Sequence, residues 1–202
     1  MIGLTGGYCS GKSEAAAILS TQGWTCIDVD ALGHRALEYC LPEVVKLLGP
    51  GVRRPDGLPD RKAIGRLVFS DQSLLGQFEA LVHPAMFALT DKAIATAGGE
   101  LSGKICLNAA ILYRMPQATR CRFIIEVQAP LLARIRRGKA RDGLSVFHIL
   151  QRIRNQRSLW RTGKTYSAKV LPVRNDGNRQ QLTSTIVDVA KTLENQARRS
   201  AS

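Results

Sequence analysis

Residues 6–13 read Gly-Gly-Tyr-Cys-Ser-Gly-Lys-Ser, a complete G-x-x-x-x-G-K-[ST] pattern. No other stretch restricts the fold as much. Glycines let the backbone curl so that successive N–H groups face an anion, and a helix starting just beyond adds its positive end. The pattern works only where a strand delivers the chain to the turn and a helix leads it away. Both are legible here. Residues 1–5 are a short apolar run that stops at glycines, as a buried strand does. Residues 12–21 carry Ala15, Ala16, Ile18 and Leu19 at helical spacing. Residues 24–28 are again short and apolar, and they end in carboxylates. Strand, glycine-rich turn, helix, strand is the opening of a parallel α/β sheet. Gly6, Tyr8, Cys9, Ser10, Gly11, Lys12 and Ser13 are therefore expected to hold a nucleoside triphosphate. Lys12 reaches the β- and γ-phosphates, and the Ser13 hydroxyl ligates Mg²⁺.

Beyond this opening the pattern changes. Helices are predicted over 31–39, 42–48, 60–69, 72–82 and 84–97, with a turn-rich stretch at 49–60 carrying Pro50, Gly51, Pro55, Gly57 and Pro59. Nearly seventy residues pass without a buried-strand pattern, which reads as a helical lobe inserted after the second strand. Strand patterns return at 104–107, 122–127 and 170–173. Helices follow over 131–139, over 146–159 with Ser145 as N-cap, and over 179–197. The expected fold is α/β: a P-loop core with a five-stranded parallel sheet flanked by helices, an inserted helical lobe and a basic lid. In residue terms it is one domain, 1–202. Its core spans 1–30 and 99–202, its lobe 31–98, and its lid about 134–164.

Charge sharpens the reading. Lys and Arg number 29 against 16 Asp and Glu, a formal net of +13. Residues 1–113 hold 10 basic and 11 acidic side chains, so residues 114–202, with 19 and 5, carry the whole surplus. Such asymmetry points to a polyanionic partner: nucleic acid, an anionic membrane or a phosphate-rich small ligand. Aromatic interleaving, helix-turn-helix and zinc-finger signals for nucleic acid are missing from the sequence. No run of about 18 apolar residues spans a bilayer, and the start lacks the cationic and apolar stretches of a signal peptide, so a cytoplasmic protein is expected. The five cysteines form an odd set with no close pair and read as free thiols.

Asp28 and Asp30 close the second strand. Strand ends in a parallel sheet open onto the ligand crevice, where a carboxylate can take the proton of an attacking hydroxyl or order Mg²⁺-bound water. Either can instead cap the following helix. The basic run 134–141 is open to two readings as well, a solvated helix face or a lid whose cations arrive with the triphosphate. His34 and His148 read as surface residues, Trp24 and Trp160 as packing residues.

The sequence resembles the dephospho-coenzyme A kinase family over roughly residues 2–177. The resemblance rests on Leu4-Thr5-Gly6-Gly7 with Ser10-Gly11-Lys12-Ser13, and on Asp28-x-Asp30. It continues through Asp60-Arg61, Val68-Phe69-x-Asp71, Phe78-Glu79 and His83-Pro84. Arg141-Asp142, Arg152-Ile153-x-x-Gln156 and Asn175-Asp176-Gly177 complete it. It implies ATP and dephospho-coenzyme A as substrates, with no nucleic-acid or membrane partner. Asp30 then matches the carboxylate that accepts the proton of the ribose 3′-hydroxyl. Lys12 and Arg141 are its catalytic companions, and Arg137 joins Arg141 in a lid over the triphosphate. Asn175 falls in the segment flanking the adenine. Arg61 and His83 are candidates for the acceptor site, Arg61 otherwise pairing with Asp60 or Asp71 and His83 otherwise capping the next helix. Three departures stand out. Cys9 replaces a usual glycine, Lys169 an acidic residue, and where the third strand usually leads into a Pro-Leu-Leu-x-Glu-like segment the chain reads Leu107-Asn108-Ala109-Ala110-Ile111-Leu112-Tyr113, with no glutamate. The alternatives from the residues alone are a kinase for another small alcohol or nucleoside, and a nucleic-acid-binding ATP switch.

Lys12→Ala should lose both nucleotide affinity and turnover, which titration with a fluorescent ATP analogue and an ADP-release assay will read. Wild-type values in both would overturn the phosphate-loop assignment.

Overall fold

The computed structural model describes residues 1–99, 104–160 and 168–199. Five strands, β1 (Ile2–Gly6), β2 (Thr25–Asp28), β3 (Ile105–Asn108), β4 (Phe123–Gln128) and β5 (Lys169–Arg174), form one sheet in the order β2-β3-β1-β4-β5. Every pairing is parallel. The central strand β1 is buried along its whole length, and β3 likewise. A strand covered on both faces needs a continuous apolar run, which is what residues 2–5 and 105–107 supply.

Packing divides the chain into two compact units, Met1–Asp28 with Ile94–Ser202, and Val29–Ala93. In the first, helices α1 (Lys12–Thr21) and α8 (Arg179–Arg199) join the sheet around a core that includes Leu4, Ala15, Leu19, Cys106 and Ile125. Trp24 is part of this core. Helix α8 contributes Leu182, Ile186, Ala190 and Leu193, whose spacing of four, four and three puts them on one face. Helices α6 (Leu131–Asp142) and α7 (Val146–Trp160) carry the basic segment. Ser145 caps α7 as expected, its Oγ accepting from the His148 N–H at 3.4 Å, and His148 is exposed. Residues 161–164 of the expected lid and the Trp160 side chain lie outside the described residues.

The second unit is helical: α2 (Val29–Tyr39), α3 (Leu41–Leu48), α4 (Arg61–Val68) and most of α5 (Gln72–Thr96). Its turn-rich stretch contains a short 3-10 helix, Pro50–Val52, and an isolated bridge between Arg53 and Pro59. Asp60 caps α4, its Oδ1 accepting from Lys62 N–H and Ala63 N–H at 3.0 Å each. Asp71 opens α5 in the same way through Ser73 N–H and Leu74 N–H.

One expectation fails here. The helices anticipated over 72–82 and 84–97 are a single helix with Pro84 inside it. Proline withholds its own N–H and its ring crowds the carbonyl four residues back, so α5 forgoes one intrahelical bond and accommodates that contact. Burial of Val82 and Met86 on either side of Pro84 keeps both halves in place.

Ile186 is fully buried in α8. Ile186→Ala should cost about 2–5 kcal/mol, lowering Tm by roughly 5–15 °C in a chain of this length. Leu132→Ala, at a residue 80% exposed, should leave Tm nearly unchanged in the same melts.

Candidate active site

The loop between β1 and α1 is shaped by what crowds it. A Cβ on Gly6 would lie 2.4 Å from Ser10 Oγ and 2.9 Å from the Val127 carbonyl. Gly11 has φ +104°, and a Cβ there would meet Asn175 Nδ2 at 2.1 Å. Neither position admits a side chain. Cys9, at φ +55°, is the one non-glycine with positive φ among the described residues. It thus adopts the conformation that a glycine would take at less cost.

Side chains from later in the chain claim three consecutive loop carbonyls. Arg134 Nε donates to Tyr8 O at 2.7 Å, and Arg137 Nη1 donates to Ser10 O at 3.3 Å and Cys9 O at 3.5 Å. Asn175 Nδ2 donates to Ser10 O at 2.7 Å. In a trans peptide the N–H points opposite the C=O. The N–H groups of Cys9 and Gly11 therefore turn away from these donors, which is how an anion cradle is made. The Tyr8 N–H donates to Gln156 Oε1 at 2.5 Å, so a side-chain oxygen already sits on the loop. Lys12, at the start of α1, donates from Nζ to Asn108 Oδ1 at 2.7 Å. Ser13 follows it, exposed, in the first turn of α1.

A second cluster surrounds the Tyr8 side chain. The guanidinium carbons of Arg141 and Arg152 lie 5.2 and 5.4 Å from its ring centroid, within cation–π range. The Tyr8 hydroxyl donates to Asp142, which also pairs with Arg141 at 2.8 Å and Arg152 at 3.3 Å. Hydrogen bonds from Arg141 first, and from Tyr8 next, hold the Asp142 carboxyl at about 2. Burial first, then the bond to Asp142, pushes the Tyr8 phenol up.

Beside the loop is a cavity of about 250 Å³ lined by Gly7, Ser10, Glu126, Gln128, Arg134 and Gln156 among others. Tyr113, in the segment that departs from the family pattern, donates its hydroxyl to Glu126 Oε2 at 2.8 Å, and Gln128 Nε2 donates to Glu126 Oε1 at 2.7 Å. Burial and the bond to Glu126 push the Tyr113 phenol far up.

The residues anticipated from sequence fall into two sets. Gly6, Tyr8, Cys9, Ser10, Gly11, Lys12, Ser13, Arg137, Arg141 and Asn175 belong to the first unit and cluster at the loop. There Arg137 and Asn175, which is 6% exposed, are engaged with loop backbone, and Arg141 with Tyr8 and Asp142. Asp30, Arg61 and His83 belong to the second unit. The strand ends at Asp28, and Asp30 lies in the first turn of α2. Arg61 Nη1 is 3.0 Å from His34 Nδ1, while Asp60 and Asp71 both cap helices. His83 is interior to α5 with its ring 5.5 Å from Phe87, so no helix start exists there for it to cap. Arg134, Gln156, Asp142 and Asn108 were not anticipated. Arg134 was hidden among the other cations of its run, and Gln156 was visible only as part of a motif.

Comparison with known proteins agrees with this geometry. The family model described as dephospho-CoA kinase (CoaE) matches residues 1–181. A dephospho-CoA kinase of Treponema denticola is 32% identical over 183 residues, 87% of this chain and 82% of the relative. One of Thermus thermophilus is 38% identical over 156 residues, 77% and 74% of the two chains. A crystal structure from Thermus thermophilus has a TM-score of 0.78 at 34% identity, covering 95% of this chain and 96% of that one. The dephospho-CoA kinase from Campylobacter jejuni, at 19% identity and the same coverage, shares the fold with a TM-score of 0.61. The chain belongs to the dephospho-CoA kinase family, and its reaction is the ATP-dependent phosphorylation of dephospho-coenzyme A in coenzyme A biosynthesis.

The Asp142 carboxyl titrates at about 2 when folded and near 3.9 when unfolded. A depressed folded value means its contribution is complete above about pH 4 and is lost as pH falls towards 2. Asp142→Asn should therefore melt with a shallower pH dependence than wild type between pH 4 and 2. Parallel slopes in thermal melts would show that Asp142 is not held by Arg141 and Tyr8.

Proposed function

We propose that Asp30 is the base of this kinase and that the acceptor is the ribose 3′-hydroxyl of dephospho-coenzyme A. The observation that supports the nucleotide half is the capture of the Tyr8, Cys9 and Ser10 carbonyls by Arg134, Arg137 and Asn175. It turns loop N–H groups towards an incoming phosphate before any ligand arrives, so little reorganisation remains at the moment of transfer. Lys12 adds a cation to the β- and γ-phosphates, and Arg141 one more where charge builds in the transition state.

Asp30 enters from the chain itself, two residues beyond the end of β2. As the acceptor oxygen attacks the γ-phosphorus, Asp30 takes its proton and the bond to the β–γ bridging oxygen breaks. ADP carries away the electron pair of that bond. Arg61 and His83 are assigned to the acceptor, and residues 31–98 as a whole to the acceptor-binding lobe. Arg61, next to His34 on the same unit, offers a planar fork suited to a phosphate of the coenzyme. The basic helices α6 and α7 are assigned to the lid over the triphosphate.

Mg²⁺ fits the donors present. It favours hard oxygens and keeps most of its waters and phosphate ligands, so one protein hydroxyl suffices. Ser13 supplies that hydroxyl, exposed at the N-terminal turn of α1. No cluster of three or more His, Cys, Asp or Glu side chains suited to a metal occurs among the described residues. When bound, Mg²⁺ neutralises charge on the β- and γ-oxygens. A cytosolic setting keeps thiols reduced and suits the five free cysteines.

Asp30→Asn should slow kcat by about 10²–10⁴-fold, the usual share of general-base assistance, with ATP affinity nearly unchanged. Asp28→Asn should cost far less. If pre-steady-state turnover instead singles out the Asp28 variant, the base is Asp28.

A further inference from the structure

Strand β3 reads Ile-Cys-Leu-Asn, and all four residues are buried. Three are apolar, as a strand covered on both faces requires. The fourth is an amide, only 5% exposed, which costs free energy unless it is hydrogen-bonded. Its register explains what it does. Asn108 is paired across the sheet with Leu4 of β1 and Asp28 of β2, so it sits at the carboxyl end of the strand beside the one that feeds the loop. Side chains alternate along a strand, so Asn108 and Cys106 share a face. Cys106 packs in the same core cluster as Ala15, Ala16 and Leu19 of α1. Two residues further along, the same face brings Asn108 to the first residue of that helix. There its Oδ1 accepts from Lys12 Nζ at 2.7 Å.

The chemistry of the pair is specific. A lysine ammonium is a compact charge on a four-carbon stem that has many rotamers and three donors. An amide oxygen can hold one of those donors and fix the stem without cancelling the charge. A carboxylate at the same place would neutralise the cation and add an anion near the incoming phosphates. An aliphatic side chain would remove this hydrogen bond.

We propose that Asn108 is a positioning residue for the reaction: it holds the Lys12 ammonium in the geometry used by the transferring phosphoryl group. The inference rests on the assignment of Lys12 to the β- and γ-phosphates and goes beyond it by naming what aims the lysine. Preset geometry of this kind acts mainly on the chemical step, because the loop N–H groups still bind the nucleotide.

The test uses the full-length enzyme with Asn108→Ala, the isosteric Asn108→Asp and Lys12→Ala, each measured for kcat, ATP KM and Tm. Asn108→Ala should lower kcat about tenfold, the order of one charge-assisted hydrogen bond, with ATP KM within about threefold of wild type. Asn108→Asp keeps the shape but puts a carboxylate against the ammonium, so its ATP KM should rise about tenfold or more at pH 8. This split between kcat in one variant and KM in the other is what a merely structural residue would not produce. Wild-type kinetics in both variants, or equal losses in both that follow Tm, overturn the proposal while Lys12→Ala remains inactive. An active Lys12→Ala enzyme overturns the phosphate assignment and this proposal with it. Should Asn108→Ala fail to fold, the KM of Asn108→Asp alone decides.

Discussion

The carbonyl of Ser10 is the point on which the nucleotide half of this kinase depends. Asn175 and Arg137 both donate to it, and Arg137 also donates to the Asn175 side-chain oxygen. A glycine-rich turn left to itself samples many conformations, and fixing each residue costs about 1–2 kcal/mol. Here side chains on α6 and at the end of β5 select one of them. The choice also explains Gly11, whose missing side chain is the space that Asn175 Nδ2 occupies. Curl, glycine and amide are one device, and losing any part of it releases the others.

Electrostatics around Tyr8 follow from the scarcity of acid in the second half of the chain. Only five acidic residues occur after residue 113, and Asp142 is one of them. It binds two arginines and a phenol at once. Charges this exposed gain little as isolated pairs in water, typically under about 1 kcal/mol. Their weight lies in order: Asp142 and the Tyr8 ring keep two like charges close to each other and close to the loop. Under the proposed lid role, a triphosphate would compete with Asp142 for those cations.

Much of this was legible in the sequence. Residues 12–21 predict α1 to the residue, because Lys12 opens a periodic apolar face and Gly23 follows it with φ +80°. The five parallel strands were readable from short apolar runs bounded by glycine, carboxylate or basic residues. What misled was local chemistry read without its neighbours. Pro84 looks like a break, yet the helix passes through it, because one lost backbone bond is outweighed by buried side chains on both flanks. Arg61 follows Asp60 and lies ten residues before Asp71 in sequence, yet both carboxylates are occupied at helix N-termini. Asn108, Arg134 and Gln156 were invisible as site residues for another reason. Each acts on a partner 96 to 148 positions away, and no local period encodes such a distance.

The position of β1 in the sheet sets an order of events during synthesis. The first strand made is the central one, and its partners, residues 105–108 and 123–128, emerge only after more than half the chain has been built. The last clamp on the loop, Asn175 to Ser10, spans 165 positions. A ribosome-bound fragment therefore carries an apolar strand with exposed edges and a glycine-rich turn without its clamp. Pairings this remote fold slowly and leave such edges open to wrong partners. Nucleotide reaches a finished cradle only when the chain is nearly complete, so ATP can reward the finished fold but cannot guide its early stages. The Val29–Ala93 unit, built from contacts close in sequence, has no such wait.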